Sequence, residues 1–230
     1  MARNPRTLAP LPASPEEAWE RRAGRVRAAL AQRIGSVVAV VEAVHRRHNT
    51  SAILRSCEAF GVHEVHLISN DFRPAKGAAR GSERWVDLRV HATTASSLSD
   101  LKARGFAIYV ADLGVDAFTP DDVPLDRPLA VVFGGEVAGI SDQARALADG
   151  VITVPMRGLT ESLNVASAAT CALYRLAERR RALLSGAGDL DPAREQAFYD
   201  AWQAEEQAAR AGMDARNALD EDPDDEAGLA

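Results

Sequence analysis

Between residues 36 and 156 the chain alternates continuous apolar runs with stretches of helical period. "SVVAVVEAV" (36–44) is an unbroken, largely β-branched run, the mark of a strand buried on both faces. Similar runs follow in "EVHLIS" (64–69), "WVDLRVH" (85–91), "FAIYVADL" (106–113), "PLAVVFGGE" (128–136) and "VITVPM" (151–156). Helices are predicted between them in "TSAILRSCEAFG", closed by Gly61, in "TASSLSDLKARG" and in "SDQARALADG". A long helix over 164–185 carries Val165, Ala168, Ala169, Ala172, Leu173 and Leu176 on one stripe. Residues 70–85 read as a polar loop, and no internal repeat is found. Strands alternating with helices predict an α/β fold with a mostly parallel sheet. Ligands of such sheets bind beyond the carboxyl ends of the strands, which directs attention to the loops after Val44, Phe133 and Val154.

The flanks differ from this core. Residues 1–35 read as a disordered start followed by an amphipathic helix over 15–33, beginning at Ser14 or Pro15. The α/β domain is expected over 36–186 and one further helix over 187–212. The remainder, 213–230, is an acidic low-complexity tail expected to be disordered. Charge sharpens this division. The whole chain carries −6, but residues from 187 onward hold 13 Asp and Glu against three Arg, leaving +4 on residues 1–186. With "RRAGRVR" (21–27) and "ERRR" (178–181), that basic body is compatible with a polyanion partner, although charge runs are commonly solvated faces. Hydrophobic residues at 47% suffice for a packed core, and no apolar run approaches the ~18 residues of a membrane span. The start lacks the apolar stretch of a secretory signal. Cys57 and Cys171 sit singly inside predicted helices and read as small hydrophobes in a reducing compartment, so a cytoplasmic protein is expected.

Several signatures are missing: the glycine fingerprint of dinucleotide sites, the P-loop and the G-x-S-x-G elbow. His45 and His48 lack a Cys or carboxylate partner, so they read as a solvated basic turn and no metal is expected. The three strand-end loops hold the remaining chemistry. In "HNTSAILRSCEAFG", Asn49 is placed to cap a helix whose Ile53, Cys57 and Phe60 face the core. Ser51, Arg55 and Glu58 share another face, where an Arg55–Glu58 pair is the plain reading. In "VVFGGEVAGIS", glycines end a strand and Ser141 caps a helix, but Glu136 is left unexplained. In "GLTESLNVASAATCALYR", Ser162 and Asn164 are cap candidates before an ordinary core helix.

Taken together and in order, "NTSAILRSCEAFG", "VVFGGEVAGIS" and "VPMRGLTESLNVASAA" resemble the three motifs of the SpoU (TrmH) class of SPOUT RNA 2′-O-ribose methyltransferases. The resemblance spans roughly residues 36–185. "GSERWVDLRVH" and the short flanks are most similar to the branch that methylates guanosine 18 of the tRNA D-loop. The resemblance implies a C-terminal deep trefoil knot, which general topology rules disfavour. It implies S-adenosyl-L-methionine (S-adenosylmethionine) bent in that knot, and a homodimer with each active site at the subunit interface. By the same resemblance Arg55 would be the family's catalytic arginine, taking part with a nearby RNA phosphate in activation of the ribose 2′-OH. Its charge suits electrostatic activation better than proton abstraction. Asn49 would orient that site, Glu136 fix the second loop, and Ser162 and Asn164 order the third. Backbone near Leu113, Gly134, Val154, Met156 and Leu163 would hold the cofactor.

Two departures stand out. Gly135 occupies a position often Asn in the family, implying a looser loop, and an acidic tail is unexpected beside tRNA, where it would shed nonspecific RNA. Ribosomal-RNA members commonly carry a separate RNA-binding domain of well over ~50 residues before the knot. Here the first core strand leaves room for a helix only, which favours tRNA over ribosomal RNA. Single-domain members with wobble-ribose targets tend to lack the flanking helices. A noncatalytic RNA-binding module is the alternative of another class, and the intact Arg55, Asn49, Glu136 and Asn164 argue against it.

Overall fold

The structure is a computed structural model describing residues 12–44, 46–69, 82–114 and 116–220. The chain divides into two compact units, one of residues 29–190 and one joining 1–28 to 191–230.

The larger unit is a six-stranded parallel sheet in the order β3-β2-β1-β5-β4-β6. Its strands are β1 (Ile34–Glu42), β2 (Val62–Ile68), β3 (Asp87–His91), β4 (Ala107–Ala111), β5 (Leu129–Phe133) and β6 (Gly150–Ile152). The β-branched run of β1 is explained by its neighbours. Val37, Ala39 and Val41 enter a core shared with α2 (Arg47–Phe60) and α5 (Val165–Leu183), whereas Val38 and Val40 enter a core shared with α3 (Thr94–Ala103) and α4 (Asp142–Leu147). β5 alternates in the same way, with Val131 and Phe133 on the first face and Ala130 and Val132 on the second. Both central strands are therefore covered on each side, and period-two polarity has no place in them.

β1, β2 and β3 step outward in one direction, and the chain then crosses to β4 and β5 on the other side of β1. That reversal places the carboxyl ends of β1 and β5 side by side at a topological switch point. The predicted strand 151–156 is shorter than expected. β6 stops at Ile152 because its partner β4 ends at Ala111, the residue paired with Ile152. Residues 153–164 then run without helix or strand before α5.

The smaller unit contains most of α1 (Pro15–Leu30) and α6 (Pro192–Asp220). Trp19 stacks on Trp202 with ring centroids 5.3 Å apart, and Arg27 lies over the Tyr199 ring at 3.7 Å. The acidic segment enters α6 as far as Asp220, and the rest of it lies outside the described residues. Among the described residues no helix is long and apolar enough to cross a membrane.

The basic clusters are largely occupied internally. Arg179 donates to the Pro120 carbonyl, Arg180 to those of Leu125 and Arg127, and Arg181 to those of Gln32 and Phe60. Arg21 pairs with Glu17 and Arg22 with Glu206. The sequence clusters thus overstate the cations open to a polyanion.

Candidate functional site

Helix α2 begins at Arg47, with Arg46 at the N-cap making no side-chain cap bond. The expectation that Asn49 caps this helix is therefore corrected: Asn49 lies in the first turn, and its side chain reaches across the sheet edge instead. Its Nδ2 donates to Glu136 Oε1 at 2.6 Å, and its Oδ1 accepts from Asn164 Nδ2 at 3.2 Å. Asn164 is the N-cap of α5, accepting through Oδ1 from the N–H groups of Ala166 and Ser167. One chain of side chains thus ties the three strand-end loops together, with the buried Asn49 at its centre. A 2.6 Å bond to a carboxyl oxygen belongs to the short, strong class of protein hydrogen bonds.

The second loop is held by close backbone approach. Gly135 and Gly139 exchange two hydrogen bonds at 3.1 and 3.0 Å. A Cβ on Gly135 would lie 2.2 Å from the Ala43 carbonyl oxygen, so only glycine fits there in this geometry. The looser loop expected from Gly135 is corrected accordingly: the missing side chain lets the loop press against β1's end. The Ala43 backbone itself is left-handed, at φ 51.

Next to this bridge lies a cavity of about 220 Å³. Leu113, Gly134, Val154, Met156 and Leu163 all line it, as does Ser162. They come from the ends of β4 and β5, the segment after β6 and the approach to α5. Its walls are mostly apolar, with Phe133, Ile140, Ile152 and Val165 among them. Asp112 also lines the cavity, but its carboxyl pairs with Arg145 and accepts from the Leu113 N–H at 2.8 Å. Such a cleft suits a ligand with a flat apolar ring, held at its polar edges by main-chain groups at the strand ends. The donor set fits S-adenosylmethionine on that ground, and among the described residues Asp112 is the cavity's only ionisable lining side chain.

Arg55 stands outside both features. It is exposed on α2, lines no part of the cavity, and its side chain makes no hydrogen bond or ion pair among the described residues. The Arg55–Glu58 pair does not form, because Glu58 faces Arg33 Nη2 at 3.6 Å. The cap of α5 is Asn164 and not Ser162, which lines the cavity instead. His45 lies outside the described residues. One other acidic and histidine group, Glu64, His66 and Asp100, has ligand atoms within 4.8 Å of one another, but its cation is the Arg104 guanidinium, 2.6 Å from Glu64 and 3.1 Å from Asp100. Sequence reasoning missed Ile140, Thr153 and Ala168 as cavity residues. It also missed Glu42, a buried carboxyl that a lone acidic residue inside an apolar run could have signalled.

A parallel sheet with a bridged switch point defines an α/β protein whose candidate ligand site is the cavity at its strand ends. The sequence matches the profile of the SpoU rRNA Methylase family over residues 36–174, more than half of the chain, and the protein belongs to that family. It is 41% identical over 184 residues to the tRNA (guanosine(18)-2′-O)-methyltransferase of Thermus thermophilus, covering 76% of this chain and 92% of that protein. Among solved structures, the Aquifex aeolicus TrmH/SpoU tRNA modifying enzyme superposes with a TM-score of 0.74 at 29% identity, over 82% of this chain and 98% of that one. AviRb of Streptomyces viridochromogenes, solved in complex with the cofactor AdoMet (S-adenosylmethionine), shares the fold with a TM-score of 0.57 at 24% identity, over 66% and 62% of the two chains.

Proposed function

We propose that this chain is a tRNA 2′-O-methyltransferase that uses S-adenosylmethionine and acts on the ribose of guanosine 18. One observation carries the reading: Leu113, Gly134, Val154, Met156 and Leu163 wall one cavity, and two of its loops supply Glu136 and Asn164, which Asn49 bridges. The likeness to relatives named for tRNA, over most of both chains, supports tRNA above ribosomal RNA. When bound, the cofactor supplies an electrophilic methyl group on a sulfonium. The chain's own residues hold the reactants. Apolar walls around Leu113 and Ile140 exclude water, and strand-end main chain orients the ligand. Asn49, Glu136 and Asn164 fix the loops, and Ser162 faces the reacting ribose. The free guanidinium of Arg55 steadies the 2′ oxygen and an adjacent phosphate, so that positioning provides much of the rate.

The working protein in this reading is a cytoplasmic homodimer with residues 36–186 as its methyltransferase unit and a trefoil knot around the cavity. The fully exposed Leu159, together with Val137 at 94% and Tyr174 at 46%, supports an interface beside the site. The test is incubation with methyl-labelled S-adenosylmethionine and unmodified tRNA, followed by nucleoside mass spectrometry. A 2′-O-methylguanosine at position 18 is expected. Methyl transfer confined to ribosomal RNA, or to a base, overturns the assignment.

A further inference from the structure

We infer that Glu42 is a positioning residue, fixing the far end of the cofactor loop to the β1–α2 connection; this rests on the reading of the cavity as the cofactor's. Glu42 is the last residue of β1 and only 3% exposed. Its carboxyl accepts from the Ser141 N–H at 3.1 Å, the Ser141 hydroxyl at 2.7 Å and the Thr94 hydroxyl. Ser141 closes the loop 134–141, whose Gly134, Gly135, Gly139 and Ile140 line the cavity.

That loop is held at three places, each by the short stretch 42–49. Gly135 lies against the Ala43 carbonyl, Glu136 accepts from Asn49, and Ser141 donates to Glu42. Val137 and Ala138 between them are exposed. The Ser141 hydroxyl also accepts from the Ala144 N–H at 3.1 Å, so its proton is committed to Glu42 and its rotation is fixed. Releasing Glu42 leaves Gly139 and Ile140 held to the sheet by the Gly135 pairing and the packing of Ile140, without a polar tie at the loop's far end. The same stretch begins the helix that carries Arg55, so cavity wall and arginine helix are set by one piece of chain.

Thr94 supplies the control. Its hydroxyl bonds the same carboxyl from the start of α3, an element that lines no part of the cavity. A purely structural Glu42 would make loss of either partner equivalent. A positioning Glu42 makes only the Ser141 side matter for ligand.

The experiment measures S-adenosylhomocysteine affinity by calorimetry, kcat and KM for S-adenosylmethionine, and the melting temperature. Glu42→Gln, which keeps one acceptor oxygen, is expected to weaken binding about tenfold and raise KM alike, with kcat within about threefold of wild type. Thr94→Val is expected to lower the melting temperature while binding as the wild type does. Should Glu42→Gln fail to fold, Ser141→Ala and Ser141→Thr replace it. The alanine should lose about tenfold, and the threonine, which keeps both donors, should restore binding. Wild-type affinity in Glu42→Gln overturns the inference, as does an equal loss of affinity in Thr94→Val. A wild-type chain that binds no S-adenosylhomocysteine overturns the cofactor reading itself, and this inference with it.

Discussion

Gly134→Ala is the sharpest single perturbation of the cavity. The added Cβ would sit 2.3 Å from the carbonyl carbon and oxygen of Gly139 and 2.6 Å from the Ile140 nitrogen. All three are main-chain atoms, so no side chain can rotate away. Reaching ordinary contact requires the loop to open by about 1 Å. That stretches the paired Gly135–Gly139 bonds, now 3.1 and 3.0 Å, beyond hydrogen-bonding range. Two lost bonds at about 0.5–1.5 kcal/mol each, together with residual crowding, give a cost of about 2–4 kcal/mol. Because the opening is local, much of that cost falls on the ligand-ready loop. Calorimetric titration with S-adenosylhomocysteine is therefore expected to show affinity reduced about 30-fold or more, equivalent to about 2 kcal/mol. The melting temperature should fall as well. A variant that binds within threefold of wild type would refute the argument that this close approach shapes the cavity.

Arg55→Ala should abolish methyl transfer while leaving S-adenosylhomocysteine affinity and the melting curve unchanged, since Arg55 is exposed and free of partners among the described residues. Retained turnover removes it from the reaction. Arg180→Met removes the donor to the Leu125 and Arg127 carbonyls, and urea denaturation should show a loss of about 2–4 kcal/mol. His91 has its pKa lowered, first by burial and then by His66, so the unfolded chain binds its proton more readily than the folded one. Stability should accordingly fall as pH drops through the ordinary histidine range of about 6.5, and His91→Gln should flatten that slope in pH-dependent melts. Gly24→Ala lies in α1 with no atom from another described segment within 4 Å of the new methyl group, and thermal melts should show a gain of about 0.5–1 kcal/mol.

The sheet was legible where burial dictates composition. Val37–Val41 and Leu129–Phe133 face apolar cores on both sides, and an unbroken apolar run is what such strands require. "VITVPM" misled because its later residues are apolar for another reason: Val154 and Met156 line a cavity, while the strand ends when β4 does. The cavity residues came from the family resemblance applied at strand ends, since no local pattern distinguishes Leu113 or Val154 from core. Asn49 looked like a cap because capping is a local signal, whereas its partners Glu136 and Asn164 lie 87 and 115 residues away. "ERRR" read as a charged surface for the same reason. Its carbonyl partners are scattered along the chain, and spacing alone does not reveal them.

Those partners also impose an order on how the protein can be made. The carbonyls of Gln32, Phe60, Pro120, Leu125 and Arg127 belong to segments synthesised well before Arg179, Arg180 and Arg181. Until that last turn of α5 leaves the ribosome, none of them can take up its native arginine. The nascent α/β unit must wait, solvated and incomplete, for its penultimate helix, and a chain truncated just short of residue 179 would hold every strand yet leave those five carbonyls without their arginines.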